Sequence, residues 1–302
     1  MRVTSQGVFL QVNSDIQQAY RRVATAQESI TTGRRINHWS DDPLGAVRVL
    51  QFRSFLSSLD QYEKNAQRVL PSFNQGDSVL NDAEDILARA KELALSSAND
   101  TQSASARADT AVEVHQLRQQ LLDLANTKVE GNFIFAGFKS TTAPFSESAG
   151  TTTYAGDSGV LQIQIGSGSS IASNLPGDQV FQGVGLAAGT DIFDTLGDLE
   201  TALTSNDVTG PDGIQAQIDR LDKGNDQLLS FRAQFSARIN NIQAALDSLA
   251  ALKIQNESQR SQIEDADMLQ AYSDFTRYQQ AFEATLNSAA QVIQPSLMDF
   301  LR

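Results

Sequence analysis

The chain has 302 residues, 23 basic and 36 acidic side chains, a formal net charge of −13, 40% hydrophobic residues, one tryptophan and no cysteine. That length accommodates two or three domains, and the modest apolar content predicts a thin, elongated core rather than one large ball. The acidity argues against binding a phosphate backbone or an anionic membrane surface, and the lack of cysteine excludes disulfides, thiolate catalysis and Cys-ligated zinc.

The opening residues, Met1 to Gln6, carry no continuous apolar core, so no cleaved signal peptide is expected. No apolar run approaches the ~20 residues needed to span a bilayer. Phe9, Val12, Ile16, Ala19, Val23, Ala26 and Ile30 recur at steps of three and four. That spacing predicts a first helix from about residue 5 to Thr31 with one apolar face. Gly33 is placed to stop it, because glycine accepts the left-handed conformation that ends helices. Residues 33–43 read as an ordered loop, with Ser40 or Asp41 expected to cap the next helix and Pro43 in its first turn. Phe52, Phe55, Leu59, Tyr62, Ala66 and Val69 form the stripe of a second helix, which Pro71 is expected to end or kink. A further stripe follows in Leu80, Ala83, Leu87, Ala90 and Ala94. The polar residues 96–105 read as a turn, and helix resumes with Val114, Leu117, Leu121 and Leu124.

The character changes after Gly131. Eleven of the nineteen glycines lie within residues 139–210, and Lys139 stands alone against eight acids, a net of −7. Residues 151–155 and 160–165 alternate apolar and polar around Gly156, Asp157, Ser158 and Gly159, a hairpin signature. This stretch is read as a small β-rich insertion, with a short helix over residues 191–205 at its exit. From Ile214 the helical pattern returns: Leu221, Leu228, Phe235, Ile242 and Leu249 sit one heptad apart, with Ile239 and Leu246 between. Residues 214–254 as one helix would span roughly 60 Å at about 1.5 Å per residue. The seam weakens at Lys253 and Asn256, and residues 263–267 lead into a terminal helix. Its stripe is Met268, Ala271, Phe275, Phe282, Leu286, Ala289 and Ile293, and Pro295 marks its expected end.

The fold class is therefore mostly α with an inserted β domain (α+β). Both chain ends form an elongated antiparallel helical bundle or coiled coil, and the small β-rich domain lies at the far end. The expected divisions are residues 1–38 with 265–302, residues 39–138 with 211–264, and the insertion 139–210. Five arginines against Asp15 and Glu28 give residues 1–38 a net +3, and five acids against Arg277 and Arg302 give residues 265–302 a net −3, so charge does not resist pairing of the ends.

Chemistry is sparse. His38 and His115 are isolated and fit no metal-binding spacing, so solvated or loop-packing roles are expected. Gly183, Gly185 and Gly189 lack the nucleotide-loop spacing and read as a flexible loop. Glu264, Asp265 and Asp267, like Asp82, Glu84 and Asp85, follow no calcium-loop pattern; solvated helix starts are expected. No catalytic, cofactor-binding or metal-binding residue is predicted. The candidate functional residues are instead subunit-packing ones: Phe9, Val12, Ile16, Val23 and Ile30 from the first helix, and Phe275, Phe282, Leu286, Ala289 and Ile293 from the last. A stripe is stable only when covered, and these two have little but each other or a neighbouring copy to cover them.

The segment Ser29-Ile30-Thr31-Thr32-Gly33-Arg34-Arg35-Ile36-Asn37, followed by Ser40-Asp41-Asp42-Pro43, resembles the flagellin-like axial proteins of bacterial flagella. Ile263-Glu264-Asp265-Ala266-Asp267-Met268 resembles that family's matching C-terminal segment. Gly131-Asn132-Phe133-Ile134-Phe135-Ala136-Gly137 with Pro144-Phe145, and the ending Gln294 to Leu301, are similar to the hook–filament junction group of the family rather than its filament subunits. His38-Trp39 departs from the small residues expected in that loop. The resemblance implies paired terminal helices as an inner domain, longer helices around it and an outward insertion. It also implies self-assembly into a short ring beside hook-associated protein and flagellin subunits. Export through the flagellar type III apparatus without signal cleavage, a cytoplasmic chaperone, no nucleic acid and no membrane insertion complete the expectation. Flagellin itself is the nearest rival. A secreted glycan-binding protein acting through the insertion is another, disfavoured by its sparse aromatics, Phe145, Tyr154, Phe181 and Phe193. A cytoplasmic coiled-coil scaffold is a third.

Overall fold

The computed structural model describes residues 5–99, 102–148 and 150–300, the side chains of 5–6 and 292–300 excepted. Helix α1 spans Ser5–Thr32, α2 Pro43–Ser97, α3 Ala104–Ala125, α4 Gly177–Gln182, α5 Ile192–Ser205, α6 Ile214–Glu264 and α7 Met268–Phe300. Between α3 and α4 lie six short strands: β1 Lys128–Val129, β2 Asn132–Phe133, β3 Phe145–Ser148, β4 Thr151–Tyr154, β5 Gln162–Gly166 and β6 Ser169–Ala172. They pair as three antiparallel hairpins, β1 with β2, β3 with β4 and β5 with β6. Long helices from both ends around a small antiparallel insertion are the architecture the periodicities predict.

Several local expectations change. The alternating runs at 151–155 and 160–165 do not pair with each other. Thr151 faces Ser148, and Gly166 faces Ser169. The chain reverses at Gly150 (φ +85°) and Gly168 (φ +80°), where only glycine is unstrained. The cap of α2 is neither Ser40 nor Asp41 but Asp42, whose carboxylate accepts from the Gly45 N–H at 2.8 Å. Asp41 instead accepts from the Asn37 and His38 amides. Pro71 does not end the second helix: α2 runs through it, its exposed ring flanked by buried Val69 and Phe73. One missing N–H is a smaller loss there than giving up that packing. Likewise α7 continues to Phe300 past Pro295. The Gly183–Gly189 segment is not a loose loop. Gly183 closes α4 in the left-handed conformation, and a Cβ on Gly189 would sit 2.1 Å from the Gly183 carbonyl oxygen.

The chain divides into two compact units, residues 1–58 with 251–302 and residues 59–250. In the second unit the heptad residues Leu221, Leu228, Phe235, Ile242 and Leu249 are all buried, as are Leu80, Ala83, Leu87, Ala90 and Ala94. Here α2 and α6 run antiparallel. Phe73 meets Phe235 edge to face at 5.5 Å, Glu84 pairs with Arg232 at 2.9 Å, and Lys91 pairs with Asp222. Gly76 lets the helices approach, since a Cβ there would lie 2.4 Å from the Phe235 ring. The insertion closes over a cluster of aromatic rings, Phe135, Phe145, Phe181 and Phe193, with Tyr154 on its edge. The single Tyr154 O–H proton is shared between the Phe135 and Asp157 carbonyls, and burial pushes the pKa of the phenol up to about 12. Arg118, almost fully buried, ties α3 to β3 by pairing with Glu147 and donating to the Gly150 carbonyl at 3.0 Å.

Candidate assembly surface

The first unit is organised by two strips of backbone far apart in sequence. Residues 33–36, leaving α1, lie against residues 263–266 in the break between α6 and α7. The Arg35 N–H donates to the Glu264 carbonyl at 2.7 Å, the Ala266 N–H donates to the Gly33 carbonyl at 2.9 Å, and Arg34 bridges Asp265. Gly33, at φ +68°, makes the turn that presents these groups. The Glu264 side chain, 3% exposed, is held by Arg34 at 3.0 Å, by Arg260 at 3.5 Å and by Arg53 of α2. Arg35 reaches over to the Ile263 carbonyl at 2.8 Å and to Asp42 at 3.3 Å. The Gly45 amide, then Arg35, holds the Asp42 carboxyl below its usual pKa. Glu264 is thus no solvated helix start. It stands at the carboxyl end of α6, where the helix dipole disfavours an anion, and the arginines compensate. Asp267 does open a helix: it accepts from the Leu269 and Gln270 amides and caps α7.

From this clasp α1 and α7 pack side by side. Ala26 and Ala289 are buried, and Val12, Ile16, Ala19, Val23, Ile30, Phe275 and Phe282 are half-buried. Tyr20 and Phe282 are in ring contact at 6.0 Å. Phe9 is 54% exposed and Leu286 41%, so these two predicted residues are only partly covered within the chain. The side chain of Ile293 lies outside the described residues. The structure therefore brings the two stripes together but leaves most of each half open.

Much other apolar surface in this unit is also uncovered. Trp39, Leu44, Val47 and Leu50 around the start of α2, Leu252 and Ile254 late in α6, and Leu269 and Tyr272 on α7 are all exposed. Most of the large hydrophobic side chains left exposed on the described residues fall in this unit, which holds just over a third of the chain. Apolar surface at that density marks an interaction site. Three–four spacing marks the α1 and α7 stripes but not the Glu264–arginine cluster or the exposed start of α2. The paired motifs around Gly33 and Glu264 were the available signal for the first. Trp39 and Leu44, apolar in an otherwise polar loop and cap, were the signal for the second. His38 lies 3.7 Å from Glu28 in the same loop, while His115 of the second unit pairs with Glu200 at 3.2 Å. Among the described residues no group of three or more His, Asp or Glu could hold a metal ion, and no helix is long and apolar enough to cross a membrane.

Two family models match the chain: the bacterial flagellin N-terminal helical region over residues 3–140 and the bacterial flagellin C-terminal helical region over residues 217–301. The flagellar hook-associated protein 3 of Escherichia coli K12 is 27% identical over 94% of this chain and 95% of that protein. A flagellin of Listeria innocua is 25% identical over 99% of this chain and 98% of that protein. A crystal structure of the flagellar junction protein FlgL from Legionella pneumophila superposes with a TM-score of 0.59 at 17% identity, covering 72% of this chain and 99% of that one.

Proposed function

The chain belongs to the bacterial flagellin family, with both of that family's helical regions present, and we propose that within it the protein is a structural adaptor that joins the flagellar hook to the filament. The observation that carries an assembling role is the half-open α1–α7 seam, set in a unit that holds most of the large apolar side chains left exposed on the described residues. A monomer that kept this surface in water would be poorly soluble; neighbours supply the cover. The higher identity to a hook-associated protein, 27% against 25% for the flagellin, and the Gly131–Gly137 and Gln294–Leu301 segments favour the junction over the filament. Copies form a short ring. Its neighbours are hook-associated protein on one side and flagellin on the other, and Phe9, Val12, Ile16, Val23, Ile30, Phe275, Phe282, Leu286, Ala289 and Ile293 pack within and between subunits. The role is mechanical rather than catalytic: subunits compatible with two lattices hold them together. The protein reaches the flagellum by type III export with a cytoplasmic chaperone and without signal cleavage.

Cells lacking the gene test this reading. Hooks without filaments, with flagellin shed into the medium, are the expected result; normal filaments on normal hooks would overturn it. The flagellin alternative, favoured by the Listeria relative, is separated by purification. A filament subunit polymerises into long filaments by itself, and the adaptor does not.

A further inference from the structure

Two features of the α1–α7 pair are complementary to each other but not in contact. One is a groove between the helices, a hollow of about 600 Å³ that adjoins a second of about 440 Å³. The two share Gln18, Arg22 and Tyr278, and Arg21 lines the larger. Small side chains on both walls, Ala19 and Ala26 on α1 and Ala281 and Ala284 on α7, leave room for a further helix to approach closely. Among the described residues neither Arg21 nor Arg22 has an ion-pair partner. The acids in the groove are otherwise engaged, Asp274 by Arg277 and Gln270, Asp15 by Gln11, and Asp267 as the cap of α7.

The other feature is a second stripe on α7 itself. Leu269, Tyr272, Thr276, Gln279, Glu283 and Leu286 follow one another at steps of three and four, and all six are exposed, Leu269 at 87% and Tyr272 at 67%. It is distinct from the Phe275–Phe282 stripe that meets α1. Glu283 also has no ion-pair partner among the described residues. At about 1.5 Å per residue this stripe is roughly 25 Å long, and the α1 wall of the groove from Asp15 to Ser29 roughly 21 Å.

Resting on the assembly reading above, we infer that the exposed Leu269–Leu286 stripe of one copy seats in the α1–α7 groove of the next, with Glu283 answering Arg21 and Arg22. Charge selects this arrangement. Groove against groove sets arginines against arginines, and stripe against stripe sets Glu283 against Glu283; only the crossed contact pairs opposite signs. A contact between two different patches of the same chain is heterologous, so it repeats head to tail, as a ring of copies requires. Symmetric pairing would stop at a dimer.

The absence of cysteine makes a crosslinking test clean, because introduced thiols are the only ones. Full-length Arg22→Cys and Glu283→Cys chains are co-expressed in cells lacking the native gene, and isolated hook–filament assemblies are mildly oxidised. A disulfide-linked heterodimer is expected from the mixture and none from either variant alone. Charge variants give the independent arm. Arg21→Glu with Arg22→Glu, or Glu283→Arg, each lowers the fraction of filament-bearing cells about tenfold, and combining all three restores it. Attached filaments without the heterodimer, or a triple variant as defective as its parents, overturns the contact while leaving the adaptor role intact. Filaments retained in cells lacking the gene would instead overturn the role.

Discussion

Replacing Glu264 by glutamine removes one negative charge and almost no volume at the point where the two linker strips meet. The wild-type carboxylate is 3% exposed and faces Arg34, Arg53 and Arg260, whose own side chains are 52%, 42% and 34% exposed. A hydrogen bond to a charged partner in a buried setting contributes about 1.5–3 kcal/mol, and an exposed pair about 0–1 kcal/mol. The anion is dry but its partners are wet, and glutamine keeps one acceptor for an arginine, so the net loss is about 1–2 kcal/mol. That loss is local, because the clasp holds only residues 33–36 against 263–266. Hydrogen exchange on the full-length protein reads it directly. The Arg35 and Ala266 amides, bonded across the clasp, exchange about 5–30-fold faster in the variant. The Val180 and Phe193 amides in the second unit keep their rates. Unchanged exchange at Arg35 and Ala266 would show that the backbone pairing, not the buried carboxylate, holds the strips together. A uniform acceleration through both units would show that Glu264 acts on global stability instead.

Phe282→Asp, or Val23→Asp, places a charge in the α1–α7 seam and costs about 2–3 kcal/mol, less than in a full core because both positions are half-buried. Filaments detach while near-UV circular dichroism of the second unit stays native; swimming at wild-type speed would contradict it. Gly197→Ala brings a Cβ to 2.8 Å from the Arg118 guanidinium, which is buried and bound to Glu147 and Gly150 and so has nowhere to move. Overpacking of about 1–3 kcal/mol exceeds the helix-propensity gain of about 1 kcal/mol, and thermal unfolding shifts down; an unchanged or raised midpoint would refute the fit. The Tyr154 phenol is raised from 10.0 to about 12. The folded chain therefore holds that proton more tightly than the unfolded one, and stability is lost as pH rises from 10 toward 12. Tyr154→Phe abolishes that alkaline step in denaturant titrations, and persistence of the step would assign it to another group. Asp42 is lowered from 3.8, first by the Gly45 amide. Its cap thus stabilises above that value and fails as pH falls below it, an acid-side loss absent from Asp42→Ala.

The parts of the fold legible in the sequence are those whose burial repeats. Leu221 to Leu249 recur every seven residues because α6 buries the same face for most of its length, and each is buried in the structure. Hairpin register is legible only when the glycine at the turn can be told from glycines serving other ends. Gly150 and Gly168 reverse the chain with positive φ. Gly156 and Gly159 lie under rings instead, since a Cβ would meet Tyr154 at 2.4 Å and Phe138 at 2.3 Å. In a string of letters all four look alike, so alternation alone centres the hairpin on the wrong pair. Glu264 was missed for a different reason. Its partner Arg53 is 211 residues away, so no spacing records the contact, and three acids within four residues, Glu264, Asp265 and Asp267, read as a surface cluster.

The candidate surface shows where periodicity stops being informative. The terminal helix is apolar on two faces. Phe282 meets Tyr20 of α1 and Phe275 is half-buried, while Leu269, Tyr272 and Leu286 are exposed, yet both sets step by three and four. A pattern records that a face must be covered; it carries no label for the molecule that covers it. Geometry supplies the label by elimination, since a face left open when the chain's own helices have packed is one its neighbours must close. Spacing joins Leu286 to the Phe282 stripe, whereas its 41% exposure fits the outer face that the proposed contact uses. If that assignment holds, Leu286→Ser leaves the α1–α7 pairing of the monomer unchanged and weakens assembly, whereas Phe282→Ser loosens both. Exchange rates of the α1 amides in the purified monomer separate the two. Equal acceleration by both substitutions would return Leu286 to the inner seam and remove one end of the proposed contact between copies.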